Sequence, residues 1–306
     1  MDRFHEMQVF LAVAEEEGFA AAARRLNTSP PSVTRAIAAM EQRIGTQLLA
    51  RTTRSLHLTE AGQRYLDDCR RILAELDEAE EAAAGSYSIP GGQLTVTAPV
   101  LFGELYVAPV LGDYLDRFPL VSINALLVDR VVNMTDEGVD VAVRIGHLQP
   151  SLQQAIKVGE VRRVVCASPA YLDQHGRPQR PEQLREAKLV TSSSSQLISE
   201  WTFVDAGQPL KVPIAPRLVV TANNAAINLA RLGWGMTRVL SYQVAAAVAA
   251  GELELVLEDF EPAPLPIHVV FQQNGRVPAK VNTFVDFLSH RLGHDPALSA
   301  ATKQRA

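Results

Sequence analysis

The sequence predicts an α/β protein preceded by an all-helical front end, and three observations carry that prediction. From Asp2 to about Ala84 the apolar residues keep helical spacing, interrupted by tight turns and one small hairpin. Beyond about Gln93, β-branched runs alternate with helical stretches, the pattern of mostly parallel sheets covered by helices. Between the two lies SYSIPGGQ, Ser86 to Gln93, a linker by composition. The bulk numbers agree. A chain of 306 residues has room for two or three domains, and 21% charged with 47% hydrophobic residues is an ordinary globular balance. A net charge of −5 argues against wholesale coating of nucleic acid but allows a local basic face. Cys69 and Cys166 fall in segments read as different domains, which argues against a disulfide framework and for a reducing compartment. No apolar run reaches membrane-spanning length. The stretch MDRFHEMQVFLAVAEEEG lacks a basic leader and is studded with Glu6, Glu15, Glu16 and Glu17, so it does not read as a signal peptide. A cytoplasmic protein without membrane contact is expected.

The first helix is capped by Asp2, and Met7, Phe10, Leu11 and Ala14 follow at the i, i+3, i+4, i+7 spacing of one buried face, with Gly18 as its stop. FAAAARRL, Phe19 to Leu26, is a second, compact helix whose alanines allow close approach. Asn27 and Thr28 turn the chain. In the third helix Ser29 is the N-cap, and Pro30 and Pro31 stand in a first turn, where their missing donors would be orphans anyway. Val33, Ile37, Met40 and Ile44 face the core, Ser32, Thr34 and Arg35 stay on or near the outside, and Gly45 stops the helix. Helix, tight turn, helix is the geometry that lowers a second helix into a DNA major groove.

LLARTTRSLHLT then reads as a hairpin, Leu56 and Leu58 alternating on the way out and Arg51, Thr52, Thr53 and Arg54 surrounding the turn. An arginine-bearing hairpin beside a recognition helix is a wing, suited to phosphate or minor-groove contact. Between Ala20 and Arg64 seven arginines face two glutamates, a net +5 hidden by the whole-chain charge. The candidate contacts to double-stranded DNA are therefore Ser29, Pro30, Pro31, Ser32, Thr34, Arg35, Arg51, Thr52, Thr53 and Arg54. From Thr59 to about Ala84 runs a long helix capped by Thr59. Its Tyr65, Cys69, Ile72, Leu76, Ala79 and Ala83 recur at steps of 4, 3, 4, 3 and 4. That is a heptad seam, predicted to pair two chains, with packing against its own domain as the alternative. At 1.5 Å per residue the helix spans roughly 35–40 Å, enough to hold two DNA-binding heads apart.

The run FLAVAEEEGFAAAARRLNTSPPSVTRAIAAMEQRIGTQLLARTTRSLHLTEAGQRYL, Phe10 to Leu66, closely resembles the N-terminal domain of LysR-type transcriptional regulators. The chain is similar to that family more loosely as far as about Leu292. The resemblance implies a winged helix-turn-helix over 1–58, a linker and dimerisation helix over 59–85, and an effector-binding domain over 92–294 resembling periplasmic solute-binding proteins. Lobe one would comprise 92–161 and 267–294, lobe two 162–266, with crossovers near Val161 and Ile267. It further implies a homodimer or homotetramer, a small-molecule effector, RNA polymerase as a partner, no cofactor and no catalytic activity. One departure matters. Many members carry glutamine where this chain has Pro30, and proline has no side-chain donor. Base reading would shift to Ser32, Thr34 and Arg35, since arginine can take guanine bidentately.

In the second part, QLTVTA, LVSINALLV, VDVAVRI, VRRVVCAS, RLVVTA and LPIHVVFQ read as strands. Gly103 to Arg117, a stretch from about Asn223, and Ala279 to His290 read as helices. Ligands in such sheets sit beyond the strand C-termini. That rule nominates Thr97, Ala98, Pro99, Val100 and Phe102 after the first strand, and Arg144, Ile145 and Gly146 after another. From lobe two it nominates Ser192 in the serine run Ser192 to Ser195, Asn223 and Asn224 at a helix start, and Thr237. Two opposed helix starts with hydroxyls nearby would suit a small carboxylate, while Ala98, Val100, Leu101 and Phe102 suit an apolar or aromatic ligand equally.

Other patterns carry less. Cys166 lies in an apolar strand without a partner cysteine and reads as a buried, inert thiol. His290 and His294 have i, i+4 metal spacing, but Gly293 and Pro296 break the helix and no third ligand follows, so a helix-end role is expected and no metal. No nucleophile elbow, P-loop or dinucleotide fingerprint is present. The rival expectation is a solute-binding or enzymatic α/β domain carrying a helical N-terminus that binds no DNA.

Overall fold

A computed structural model describes residues 2–51, 56–83, 89–148, 153–192, 199–272 and 277–298, with backbone alone at 51, 74–75 and 77–83. It divides into two compact units, 1–88 and 89–306.

The first unit is helical with a small hairpin. Helix α1 (Arg3–Glu15) is capped by the Asp2 carboxylate, which accepts from the Phe4 N–H at 3.1 Å. Its buried face is Glu6, Val9, Phe10, Ala12 and Val13, while Met7, Leu11 and Ala14 pack only partly. The expected face was thus rotated: α2 and α3 both pack on α1 and draw in Val9 and Val13. Nor does Gly18 end the helix. The cap is Glu16, Glu17 takes a left-handed φ of 49°, and Gly18 precedes α2 (Phe19–Arg25). Helix α3 (Pro30–Ile44) begins at Ser29, whose hydroxyl accepts from the Ser32 N–H, and ends at Gly45 with φ 79°. Val33, Ile37 and Met40 are fully buried, each such side chain contributing about 1.5–3 kcal/mol of burial. Ile44 is exposed, in the last turn beyond the core, and Ala36 takes the buried position in its stead. Strands β1 (Leu49–Arg51) and β2 (Leu56–Leu58) pair antiparallel, Leu49 opposite Leu58.

Helix α4 (Glu60–Ala83) is capped by the Thr59 hydroxyl, which accepts from the Gly62 N–H at 2.9 Å. Its first half packs on its own unit. Leu66 and Cys69 are buried in the α1–α3 core, Leu73 is buried too, and Tyr65 meets Phe10 at 5.6 Å between ring centroids. Cys69 is therefore spent within one chain, correcting its place in an interchain seam, while Tyr65 is only partly covered by the core. The reason is that a helix joined to a small core by the short hairpin lies against that core for its first turns.

The second unit has two lobes. In lobe one, strands β3 (Gly92–Ala98), β4 (Val121–Leu127), β5 (Val141–Ile145), β6 (Gln153–Val161) and β14 (Leu265–Gln272) form one sheet in the order β4-β3-β5-β14-β6. Helix α5 (Val100–Phe102) runs through a π-helical turn, Gly103–Val107, into α6 (Ala108–Arg117). Pro109 cannot donate within this helix, and the Ala108 N–H bonds back to the Gly103 carbonyl across the wide turn. With α10 (Ala279–Gly293) this helix covers a core that includes Phe102, Tyr114 and Phe284. In lobe two, β7 (Arg163–Ala167) lies between β12 (Thr237–Leu240) and β13 (Glu254–Val256). Strands β8 (Val190–Ser192) and β11 (Leu218–Val220) pair in parallel, and a Leu189–Met236 bridge ties β8 to β12. Helices α7 (Pro169–His175), α8 (Asn223–Arg231) and α9 (Ser241–Ala249) complete it.

The sheets are less parallel than expected. Strands β3, β4 and β5 are parallel, but β14 runs antiparallel to β5 and β6, and β12 and β13 run antiparallel to β7. A chain that crosses twice between lobes must re-enter each sheet from the opposite direction. Two crossovers meet at Arg162. Its guanidinium bonds Glu258 at 3.1 Å and Glu261 at 3.0 Å, and its backbone exchanges bonds with Ser241. Strand β6 and the hairpin of β9 (Glu200–Asp205) and β10 (Gln208–Pro213) were not anticipated. The hairpin turns on Ala206 and Gly207, both at positive φ, 48° and 80°, the two-residue turn that suits strand twist.

Candidate nucleic-acid interface and effector cleft

The front of α3 is built from side chains that satisfy one another. The Ser29 and Ser32 hydroxyls are 2.8 Å apart, Thr34 donates to the Pro30 carbonyl at 3.0 Å, and Arg35 donates to the Ser32 hydroxyl and the Pro31 carbonyl, both at 3.4 Å. Ser29, Pro30, Pro31 and Arg35 are exposed, Ser32 and Thr34 half-buried. Pro30 and Pro31 have no N–H, and the Ser32 and Val33 N–H groups are held by Ser29. This helix start therefore has no free backbone donor for a phosphate, and contact with a duplex falls to side chains. The wing is set by Glu41, whose carboxylate accepts from the Leu48 and Leu49 N–H groups at 2.8 and 3.1 Å. Arg51 stands on β1, its side chain outside the description, and Thr52, Thr53 and Arg54 lie outside the described residues.

The basic face is smaller than the residue count implies. Arg43 pairs with the buried Glu6 at 2.7 Å, Arg25 with Glu15 at 2.7 Å and Glu16 at 3.4 Å, and Arg64 with Glu60 at 3.5 Å. The acids that hold Arg43 and Arg25 come from α1, outside the window in which the charges were counted. Arg24 and Arg35 have no ion pair among the described residues.

On α4 the remaining seam residues separate by position. Ile72 and Leu76 are half-buried, while Ala79 and Ala83 continue the helix with only their backbone described. Burial pushes the Cys69 thiol up to about 11 and the Cys166 thiol up to about 12, and both are free. Neither is a nucleophilic thiolate near neutrality.

The nominated effector residues fall into two groups. In the first the lobes meet. The Asp129 carboxylate, just after β4, accepts from the Val100 N–H at 3.0 Å and from the Asn223 amide at 3.3 Å, and Asn223 in turn accepts from the Ser192 hydroxyl. Two helix starts, one from each lobe, thus converge on one carboxylate. Asn224 is exposed beside them. Sequence reasoning passed over Asp129, although an acid directly after the strand LVSINALLV, at a sheet's C-terminal edge, was the available signal. In the second group the residues are structural. Thr97 donates to the Leu126 carbonyl at 2.7 Å, Ala98 is buried, and Pro99 begins α5. Phe102 lies in the lobe-one core, stacked on Tyr106 at 5.0 Å and edge-on to Tyr242 of lobe two at 5.3 Å, so it packs the lobes together. Arg144 donates to the Val132 carbonyl at 3.1 Å, Ile145 packs on the lobe-one core, and the Gly146 N–H bonds Pro266. Strand ends in a mixed sheet point to different places, which is why one rule collected both groups. Thr237 is fully buried at the start of β12 beside Cys166, and its hydroxyl, like that of Thr191, has no partner among the described residues.

Comparison with known proteins agrees with this division. The family model described as bacterial regulatory helix-turn-helix protein, lysR family, matches residues 4–63, and that described as LysR substrate binding domain matches 89–293. An HTH-type transcriptional regulator of Xanthomonas campestris pv. campestris is 33% identical over 292 residues, covering 94% of this chain and 85% of the relative. The HTH-type transcriptional regulator CrgA of Neisseria meningitidis serogroup B is 30% identical, covering 95% and 97%. A solved structure of CrgA, a LysR-type regulator from Neisseria meningitidis, superposes with a TM-score of 0.61 at 29% identity, covering 94% and 98%. With a helix-turn-helix in front, a two-lobed domain behind and matches to both family models, the chain belongs to the LysR family of transcriptional regulators.

Proposed function

We propose that this regulator acts in the cytoplasm as a homodimer or a homotetramer that reads a two-fold-related DNA site through Ser32, Thr34 and Arg35 of α3. The wing residues Arg51, Thr52, Thr53 and Arg54 take the phosphates. The observation that carries the reading is the front of α3: an exposed arginine with no ion pair among the described residues, flanked by hydroxyls, on a helix start whose prolines leave contact to side chains. Pairing of chains falls to Ile72, Leu76, Ala79 and Ala83 in the later part of α4, with the uncovered side of Tyr65, since Cys69 is spent on the unit's own core. The cleft at Val100, Asn223 and Ser192 receives a small effector. Effector binding changes the lobe arrangement and so biases the DNA-bound assembly, the differential affinity that linkage requires. Contact with RNA polymerase would follow from operator binding beside a promoter. A carboxylate effector would need the donors that Asp129 now holds, a competition in which the tethered group has the advantage of effective concentration.

The test is a titration of Arg35→Ala against operator and unrelated duplex, using operator recovered with the protein from cells. Loss of a bidentate guanine contact costs about 1–3 kcal/mol on operator, roughly fivefold to 150-fold, with a much smaller loss on unrelated duplex. Equal losses on both would refute base reading. No duplex affinity at low ionic strength, with no decline as salt is added, would refute the regulator reading and favour the solute-binding rival.

A further inference from the structure

Asp129 stands where an incoming anion would be expected. Its two carboxylate oxygens divide between the lobes: Oδ1 takes the Val100 N–H at the start of the lobe-one helix, and Oδ2 takes the amide of Asn223, first residue of α8 in lobe two. Asn223 passes the connection on to the Ser192 hydroxyl at the end of β8. The neighbouring cation is otherwise engaged, since Arg130 forms a two-bonded pair with Glu137 at 2.7 and 2.5 Å. Among the described residues the Asp129 carboxylate, on an exposed residue, is therefore left to backbone and amide donors, the partners a bound ligand anion would use. Tyr242 of lobe two lies close enough for Asp129 to add to the larger effect of burial in holding the phenol proton.

We propose that Asp129 is a built-in anion that latches the two lobes and shuts out carboxylates. The effector of this chain is then a molecule that offers Asp129 a cation or an N–H or O–H donor. This rests on the reading of the inter-lobe cleft as the effector site. The physical reason is twofold. A tethered carboxylate competes at an effective concentration that a free acid at ordinary levels does not match. A free acid that did enter would also stand beside a like charge. A donor or cation, by contrast, is attracted to Asp129 and competes with Val100 and Asn223 for its oxygens, which loosens the link between the lobes.

Chemical rescue tests the latch. Sodium acetate supplies the carboxylate that Asp129→Ala removes, at an exposed position with room for its methyl group, so the full-length wild type and Asp129→Ala are melted in rising acetate, with sodium chloride at equal ionic strength as control. The expected result is a lowered midpoint for Asp129→Ala that acetate restores and chloride does not, and a wild type with no acetate-specific shift. The half-maximal acetate concentration for the variant lies at least tenfold below any seen for the wild type. Should Asp129→Ala be insoluble, Asp129→Asn, which keeps the volume and loses the charge, carries the test through the ligand screen, where carboxylic acids bind it more tightly than they bind the wild type. Equal acetate responses in wild type and Asp129→Ala, or none in Asp129→Ala, would overturn the proposal, as would an Asp129→Asn protein that binds carboxylic acids no better than the wild type. In a ligand screen on the wild type, hits fall among amines and neutral donors, and a carboxylic acid that binds as tightly as the best of these would overturn it too. Operator binding by the same samples is scored separately. Its absence in the wild type would remove the regulator reading and leave the rescue result standing.

Discussion

Replacing Gly62 with alanine should damage the DNA-binding unit, although alanine is the better helix former. Gly62 lies in the first turn of α4, under the hairpin. A Cβ built there would sit 2.0 Å from the Leu48 carbonyl oxygen and 2.9 Å from its carbon, backbone atoms that cannot swing aside. That carbonyl accepts from the Thr59 N–H at 2.9 Å and the Thr59 hydroxyl at 3.2 Å, so displacing it by about the 1 Å needed to relieve the overlap breaks the junction between wing and linker helix. One backbone hydrogen bond at about 1 kcal/mol, since the Thr59 hydroxyl keeps its shorter bond to the Gln47 carbonyl at 2.8 Å, and about 1–3 kcal/mol of overpacking oppose a propensity gain of about 1 kcal/mol, leaving a net loss of about 1–3 kcal/mol. In a unit of 88 residues that lowers the melting midpoint by roughly 5–25 °C. Operator affinity should fall in parallel, since Leu48 and Leu49 fix the wing to α3 through Glu41. Differential scanning calorimetry of the full chain would show the loss in one transition. Gly112→Ala is the control: the same exchange inside α6, where nothing lies within 4 Å of the added Cβ, should stabilise the other unit by about 0.5–1 kcal/mol. A Gly62→Ala protein as stable as wild type would refute the close-approach argument.

Two further outcomes are expected. Thr237→Val keeps the shape of a buried side chain whose hydroxyl has no partner among the described residues, so it should stabilise the second unit by about 1–2 kcal/mol in urea melts, and destabilisation would mean that the hydroxyl is satisfied. Burial raises the Cys166 thiol from its ordinary value near 9 to about 12. A raised folded value contributes stability that is complete below about pH 9 and is lost as pH climbs toward 12. Wild type should therefore lose more stability over that window than Cys166→Ala, and native protein at pH 8 should not react with a thiol reagent at this site. Rapid labelling would contradict the burial.

Much was legible in the residues because local chemistry decides it. Ser29 with Pro30 and Pro31, Gly45, and Thr59 mark helix ends by capping and backbone freedom alone, and they fall where they were read. The α/β alternation likewise follows from side-chain period, which neighbours do not alter. What the tertiary structure decided depends on residues far apart in sequence. Helices packing on α1 rotated its buried face. The acids of α1 neutralised arginines counted as free, and the core of the first unit claimed Cys69 from a seam whose heptad spacing serves either partner equally. The direction of β14 followed from the double crossover and not from its own sequence. The proposed effector site shows the same limit. Strand ends alone nominated Thr97 and Phe102, which are core, along with Val100 and Asn223, which both donate to Asp129. Only the meeting of two lobes put Asp129 between them, because a carboxylate's partners are set by distance in space, and sequence spacing carries no measure of it.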